Sequence, residues 1–180
     1  MEKLVANFVD DFGFGMATSV PESANAFNVG AQSFVAWRAD TIGHLDAAIT
    51  ADPNFSLPRI LKAWILHGGR TMKYNPAIDR LIADIGSPNN LAPRDRALLN
   101  GLTAAHSGNF QAGAAVLEAH LAIHPLDLVA HRLLQFELFW CGRSRWMRDV
   151  AERSAHAWND DSPGYPHFLA VRAFSNEEAG

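Results

Sequence analysis

The sequence predicts an all-α fold in which helical hairpins stack side by side. Gly108 and Gly142 lie 34 residues apart, and each falls where the first helix of a hairpin would turn into the second. Alanine and leucine are abundant while β-branched residues are sparse, which favours helices over strands. Prolines that follow helical patterns recur along the chain at Pro53, Pro88, Pro125 and Pro163. A period of 34 residues is typical of tetratricopeptide repeats, so we expect a tetratricopeptide-like helical-hairpin solenoid of about nine helices.

The first helices are delimited by capping residues, prolines and glycines. Ser19 and Glu22 form a capping-box pattern with Pro21 in the first turn, which predicts the start of a helix. Asp40 is expected to cap a second helix, which ends at Asp52-Pro53 because a residue before proline avoids the helical region. Seven further helices are expected from Ser56 to Gly68-Gly69, from Asn75 to before Gly86, and near Asp95–Ser107, Phe110–Ile123, Leu126–Cys141, Arg145–Trp158 and Pro166–Glu177.

These helices define the expected domain organisation. Residues 1–18 are predicted to be an N-terminal extension, and residues 19–180 a single helical repeat domain. The hairpins are expected at about 19–53, 56–88, 92–125 and 126–160, with a final helix at 166–177.

The third hairpin fits the tetratricopeptide register when Arg94 is placed at position 1. Gly101 and Gly113 then occupy positions 8 and 20, where small residues are needed because the two helices cross closely. Phe110 supplies the aromatic residue expected at position 17. His120 stands at position 27, which is usually alanine, and is a departure from the pattern.

Composition limits the kind of partner. The formal charge of −4 gives no basic surface for nucleic acid or anionic membranes, so we expect neither as a partner. The single cysteine, Cys141, excludes an internal disulfide and fits a reducing compartment. The apolar run Leu4–Val9 is cut short by Asp10 and Asp11, so it is read as neither a secretory signal nor a membrane span. These features predict a cytoplasmic protein.

Short motifs spread over nearly the whole chain carry a family resemblance. They are Asp11-Phe12-Gly13, Ala51-Asp52-Pro53-Asn54-Phe55, Pro93-Arg94-Asp95, Ser107-Gly108-Asn109-Phe110, His124-Pro125-Leu126-Asp127, Met147-Arg148-Asp149 and Pro163-Gly164-Tyr165. In these motifs the chain resembles the tetratricopeptide repeat protein 38-like family. The resemblance implies an all-helical repeat scaffold and no activity that can be transferred. Because family members are longer, it also implies that this chain corresponds to their N-terminal portion.

The concave surface is the first candidate for a binding site, because the first helix of each hairpin lines it in tetratricopeptide arrays. The inward positions of the third and fourth hairpins are largely apolar, with Arg132 as the one cation, and the candidate groove residues are Leu98, Leu102, His106, Arg132, Phe136, Phe139 and Trp140. We therefore predict a non-catalytic scaffold that binds a protein or peptide partner through an apolar groove with aromatic anchors. The same side chains are also those that would pack against neighbouring helices.

The alternative hypothesis is an enzyme or small-molecule-binding domain with a histidine-containing pocket between the repeats. His120 and His124 are four residues apart, and His131 follows on the next helix, which makes them weak candidates for metal ligands. No H-E-x-x-H pattern accompanies them, so no metal and no cofactor is predicted. No catalytic residue is assigned, because nucleophile motifs are absent from the sequence and Cys141 is expected to be an inert, buried thiol. A deep pocket with convergent histidine and carboxylate groups would favour this alternative.

The final helix is expected to mediate self-association. It concentrates four large apolar side chains, and the predicted patch comprises Phe168, Leu169, Val171 and Phe174. An exposed patch of this kind is typical of an interface, so a homo-oligomer through the C-terminal helix is predicted.

Overall fold

A computed structural model describes residues 8–86 and 88–180, and the regular secondary structure of these residues consists of helices and one short β-hairpin. The helices are α1 (Pro21–Val35), α2 (Thr41–Ala51), α3 (Ser56–Gly68), α4 (Asn75–Ala83), α5 (Pro93–His106), α6 (Phe110–Ile123), α7 (Leu128–Trp140), α8 (Ser144–Ser154) and α9 (Tyr165–Ala179). Short 3-10 helices lie at Met72–Tyr74, Pro88–Asn90 and Ala155–Ala157. Helices that follow one another pack together, except for α4 and α5, and the all-α class is confirmed. Most of the apolar run from Leu4, and the loop residue Ser87, lie outside the described residues.

The helix bounds agree closely with the sequence pattern, but the start of α1 does not use the predicted cap. The N-cap position is Val20, which has no side chain to accept a hydrogen bond, so the Ser19–Glu22 capping box is wrong. Thr18 takes over part of this role, because its Oγ1 accepts a hydrogen bond from the Val20 amide at 3.1 Å. The Thr18 hydroxyl also donates to Asp52 Oδ2 at 2.5 Å, which fastens the start of α1 to the end of α2.

The helices α1, α3, α5 and α7 all end in the same way. Two residues beyond the last helical residue, the backbone turns into the left-handed region, at Trp37 (φ 58°), Arg70 (φ 48°), Gly108 (φ 92°) and Gly142 (φ 64°). After α1, α5 and α7 the same two amide hydrogen bonds, 2.8–3.2 Å long, close the turn. This is the Schellman arrangement, which satisfies the last carbonyl groups of a helix. In the described part of the chain, Trp37 and Arg70 are the two non-glycine residues with positive φ.

The crossing of α5 and α6 confirms the role predicted for glycine in the third hairpin. A Cβ atom added to Gly113 would lie 2.7 Å from the Gly101 carbonyl oxygen and 2.9 Å from the Ala105 Cβ. Only a residue without a side chain allows the two backbones to approach so closely.

The described residues before α1 contribute side chains to the core. Strands β1 (Phe8–Val9) and β2 (Gly15–Met16) form an antiparallel hairpin, which the sequence did not predict. Met16 is buried to 1% exposure, and Phe12 is also buried. The predicted extension therefore packs on the helices over the part that the structure describes.

A buried ion network joins this β-hairpin to the third and fourth hairpins. Arg94 donates to both carboxylate oxygens of Asp127, at 2.7 and 2.9 Å, and to Asp10 at 2.7 Å. His120 Nε2 lies 2.9 Å from Asp127 Oδ2. Burial by itself would raise the pKa of Asp127, but the Arg94 charge and the hydrogen bonds from His120 and Arg94 outweigh it and hold that pKa well below its usual range. Asp127 also caps α7 through the amide of Ala130.

The predicted apolar patch on the final helix is largely internal. Phe168 stacks on Trp158 with ring centroids 4.4 Å apart, and it is buried together with Val171. Phe174 is half-buried against Phe139 at 5.4 Å, which leaves Leu169 as the exposed member at 41%. Phe168 and Val171 therefore belong to the side of the helix that packs on the core, and they are not part of an exposed patch.

Helix α7 packs against five other helices, some of which are distant in the chain. Besides its neighbours α6 and α8, it contacts α9, α1 and α3. The first and fourth hairpins therefore meet at α7, where the candidate site lies. Among the described residues, no helix has both the length and the apolar character needed to cross a membrane.

Candidate binding site

A cavity of about 420 Å³ lies where α7 passes the ends of α1 and α3 and the start of α2. Most of its lining side chains are apolar, and its volume falls within the range of about 300–1,000 Å³ found for small-ligand pockets. The lining includes Phe34, Trp37, Ile42, Trp64, Phe136 and Glu137.

The aromatic walls of the cavity are held by contacts with each other and with the core. The Trp37 and Phe136 rings meet edge to face, with centroids 4.4 Å apart, and Phe34 lies 6.4 Å from Phe136. Trp64 is buried, and its indole N–H donates to the Leu98 carbonyl at 2.9 Å, which fixes the orientation of the ring. The cavity is thus preformed and needs little rearrangement to accept an apolar group.

Among the described residues, Glu137 is the one carboxylate that lines the cavity, and one of its two oxygens is paired. The residue is 1% exposed, and its Oε2 accepts a hydrogen bond from Arg70 at 2.8 Å, with His67 Nε2 at 3.5 Å. Its Oε1 has no hydrogen-bond partner in the described part of the chain. This oxygen has almost no accessible surface, and leaving such a buried acceptor unsatisfied costs about 1–3 kcal/mol.

The two strained turn residues both belong to this site. Trp37 forms part of the wall, and Arg70 follows the lining residue Gly69 and pairs with Glu137. Gly108 and Gly142 occupy the equivalent turn positions in the other two hairpins. A non-glycine residue in the left-handed region costs roughly 1–2 kcal/mol, so the site keeps side chains where the fold alone would favour glycine.

Arg132 lies behind the aromatic wall rather than in it. Its guanidinium carbon is 4.8 Å from the centroid of Trp37 and 5.7 Å from that of Phe136, which is the geometry of a cation–π contact. Arg132 Nη1 donates to Gln135 at 2.6 Å. Burial lowers the pKa of Arg132 to about 10, so it stays charged at neutral pH and supports the two rings.

The seven predicted groove residues do not lie on one common surface in the structure. Phe136 lines the cavity, and Phe139 and Trp140 continue its exposed surface on the next turn of α7. Leu98 and Leu102 are completely buried, so the prediction that they line an open groove is wrong. They pack in the core because α3 covers the face of α5 that the prediction left open.

His106 is also separate from the cavity, although it is near the charged end of the site. His106 Nε2 lies 2.9 Å from Asp79, and its ring is 6.0 Å from that of His67. The sequence did not single out Trp37, Trp64 or Glu137. The one available signal was that Glu137 interrupts the otherwise apolar segment 136–140 at the end of α7.

The three histidines considered as metal ligands contact other protein groups. His120 pairs with Asp127, and its ring lies 4.9 Å from that of His124. His131 Nε2 lies 2.9 Å from the Pro125 carbonyl, and burial lowers the pKa of His131 to about 4. Within residues 8–86 and 88–180, no group of three or more His, Cys, Asp or Glu side chains is arranged to hold a metal ion.

The sequence matches no protein-family model, and no solved structure matches the chain. What the protein binds is therefore inferred from the chemistry of the cavity and of the aromatic surface beside it.

Proposed function

We propose that this protein is a non-catalytic helical-repeat scaffold of the cytoplasm that binds a protein or peptide partner. The partner would dock on the aromatic rim, which we define as Trp37, Phe136, Phe139 and Trp140, and insert one side chain into the adjacent cavity. The observation that carries the proposal is the exposure of this rim: Trp37 is 65% exposed, Trp140 57% and Phe139 37%.

The chemistry of the rim suits a protein partner. Tryptophan, tyrosine and arginine contribute most strongly to binding energy at protein interfaces, and Arg132 lies directly behind Trp37. Burying a large apolar side chain is worth about 1.5–3 kcal/mol, so covering two exposed tryptophans would supply several kcal/mol. The rim is continuous with a preformed cavity, which gives an inserted side chain a defined seat.

The repeat architecture of the scaffold is part of the same proposal. The four left-handed turns at Trp37, Arg70, Gly108 and Gly142 are 33, 38 and 34 residues apart, which supports a tetratricopeptide-like array of four hairpins. We propose that this array is similar to the tetratricopeptide repeat protein 38-like family. The contacts between α1 and α7 would curl it so that the first and fourth hairpins meet.

A small-molecule-binding role is the second candidate. It is favoured by the cavity volume of about 420 Å³ and by the approach of His67 and Arg70 to Glu137 at one side of the cavity. A pocket with a few convergent polar groups is typical of small-ligand sites.

The test of the proposed function is selection from a displayed random peptide library, followed by calorimetry of the selected peptides. We expect peptides that lose at least about tenfold in affinity for Phe136→Ala, because this ring separates the rim from the cavity. Leu169→Ala, which removes an exposed apolar side chain on α9, is the matched control and should leave affinity unchanged. Failure to select any peptide, or equal affinity for both variants, would contradict the proposal.

Self-association through the C-terminal helix remains a separate prediction. It now depends on the exposed Leu169 and on the partly exposed Phe174. Light scattering of wild type and Leu169→Glu tests it. A dimer that the substitution dissociates would support it, and a wild-type monomer at high concentration would contradict it.

A further inference from the structure

Two arginines are buried in the described part of the chain, and only one of them has a counterion there. Arg94 is 7% exposed and pairs with Asp10 and Asp127. Arg132 is 6% exposed, and the described residues place no carboxylate beside it. A buried charge without a paired ion is costly, so an anion added beside the Arg132 guanidinium would be favourable.

The pKa values of the two arginines reflect this difference. Burial by itself would lower the pKa of Arg94, but the charges of Asp127 and Asp10 outweigh it and raise that pKa. Burial lowers the pKa of Arg132 to about 10, and no carboxylate among the described residues opposes the effect. Arg132 is still charged at neutral pH, so the described residues leave its positive charge unbalanced.

The unpaired end of Arg132 is accessible at the aromatic rim. Its Nη1 donates to Gln135 at 2.6 Å, and its Nε is buried without a partner among the described residues. Its Nη2 also has no acceptor among them, but it is not one of the buried polar atoms, so solvent reaches it. The guanidinium carbon lies 4.8 Å from the centroid of Trp37, which is 65% exposed. A partner that covers Trp37 therefore lies next to Nη2.

A carboxylate matches this site better than a phosphate. Arg38, which lines the cavity, already pairs with Asp40 at 3.0 Å, and Arg70 pairs with Glu137. Arg132 therefore offers one unbalanced positive charge and one accessible donor nitrogen. A carboxylate carries one negative charge, whereas a phosphate monoester carries about 1.5 to 2 at pH 7. A hydrogen bond between a guanidinium and a carboxylate is roughly twice as strong as one between neutral groups.

The distance from Arg132 to the cavity limits where the carboxylate lies in the partner. The guanidinium carbon is 5.7 Å from the centroid of Phe136, which lines the cavity. A ring that packs on Phe136 from within the cavity would have its centroid about 4.5–7 Å further away. Since an extended residue spans about 3.3 Å, about four residues at most separate the carboxylate from the side chain in the cavity.

We propose that Arg132 binds an aspartate or glutamate side chain of the partner, within about four residues of the side chain that enters the cavity. The inference rests on the proposed function, because it names a second contact of the same partner. Arg132 thereby selects for acidic partners, because a neutral residue at this position would cover the guanidinium and leave it unpaired.

The peptides selected on the wild type test this specificity first. We expect aspartate or glutamate to be enriched, relative to the unselected library, within four residues of an apolar anchor. The tightest-binding peptide is then compared by calorimetry with its amide counterpart, in which asparagine or glutamine replaces the acidic residue. The acidic peptide should bind the wild type at least about tenfold more tightly, because the amide loses a hydrogen bond between two charged groups.

Two matched variants assign the effect to one arginine. Arg132→Met and Arg38→Met each remove one positive charge next to the rim, but Arg38 already pairs with Asp40. Arg132→Met should bind the acidic peptide and its amide counterpart equally, and Arg38→Met should keep the tenfold ratio. Arg132→Gln, which retains a donor for Gln135, is a second variant with the same expectation as Arg132→Met. A purely structural role of Arg132 would weaken the binding of both peptides and leave their ratio unchanged, which would overturn the inference.

The outcomes separate this inference from the proposed function. Selected peptides without enrichment of acidic residues, or an acidic peptide that binds no better than its amide counterpart, would overturn the inference. Weaker binding of those peptides to Phe136→Ala would still support the function. Tighter binding of a counterpart with phosphoserine at the acidic position would indicate a phosphorylated partner and overturn the assignment to a carboxylate. Failure to select any peptide would contradict both proposals.

Discussion

At the scale of single residues, the most informative feature is the side chain found at each left-handed turn. Two of the four equivalent turns have glycine, as the fold requires, and the other two have Trp37 and Arg70. Both of these residues contribute to the cavity. Backbone strain and candidate function therefore coincide at two positions that no sequence pattern distinguishes.

Replacement of Trp37 by glycine and by alanine separates the two effects at this position. Both variants lose the contact with Phe136, but only alanine retains the penalty of a Cβ at φ 58°. Trp37→Gly should therefore be more stable than Trp37→Ala by roughly 1–2 kcal/mol in urea unfolding. The reference is Gly142→Ala, which should lose a similar amount. Equal stability of the two Trp37 variants would show that the turn is not strained.

The environment of Asp95 predicts how its contribution to the free energy of unfolding changes with pH. Burial and the negative charge of Asp127 raise the pKa of Asp95 to about 6, and its Oδ2 has no partner among the described residues. When the pKa of a carboxyl group is higher in the folded than in the unfolded state, ionisation of that group lowers the free energy of unfolding. Asp95→Asn should thus match the wild type near pH 4 and be more stable at pH 7 by up to about 3 kcal/mol, from a shift of about 2 units.

Unfolding by urea at a series of pH values measures this difference. Taking the variant minus the wild type isolates Asp95, since His131 and Asp127 titrate in both proteins. The gain in stability should appear as pH rises from about 4 to 6 and then level off. A difference that does not change with pH would contradict the raised pKa.

At the scale of elements, the crossing of α5 and α6 could be predicted from the sequence alone. Gly101 and Gly113 fall at the two small positions of the repeat, and the structure places their backbones in contact. Such features are local, because a helical hairpin is defined by residues close together in the chain. The bounds of α2, α3 and α6 were predicted for the same reason.

Gly113→Ala tests the crossing. The added methyl group would lie 2.7 Å from the Gly101 carbonyl oxygen, so the helices must separate, and we expect a loss of about 1–3 kcal/mol in thermal or urea unfolding. Gly43→Ala is the control: it lies in α2 with no atom within 4 Å of the added Cβ, and it should stabilise the fold by about 0.5–1 kcal/mol. Similar effects of the two substitutions would contradict the close approach.

At the scale of the whole molecule, long-range contacts determine what the sequence could not predict. The burial of Leu98 and Leu102, the β-hairpin before α1 and the cavity at α7 all depend on contacts between residues far apart in the chain. Helical periodicity marks which face of a helix is apolar, but it does not tell a groove from a core. The candidate site could therefore be located only from the three-dimensional structure, whereas the helical hairpins could be predicted from the sequence.

The Arg94 network is the clearest of these long-range contacts. Arg94→Met would remove the arginine that pairs with both Asp10 and Asp127 and would leave His120 as the remaining ion-pair partner of Asp127, so we expect a loss of about 3–5 kcal/mol in urea unfolding. The exposed pair of Arg148 and Asp149 provides the comparison, and Arg148→Met should change stability by less than about 1 kcal/mol. Equal effects of the two substitutions would show that the buried network does not hold the β-hairpin and the third and fourth hairpins together.

The central claim, that a partner binds at the aromatic rim and cavity, is tested most directly through the five tryptophan indole N–H resonances. Trp37 and Trp64 line the cavity and Trp140 belongs to the rim, whereas Trp146 and Trp158 donate to Glu118 and Pro125 away from it. On titration with a selected peptide, we predict shifts at Trp37, Trp64 and Trp140 and constant positions for Trp146 and Trp158. Saturating peptide that leaves the first three resonances unchanged would contradict the claim.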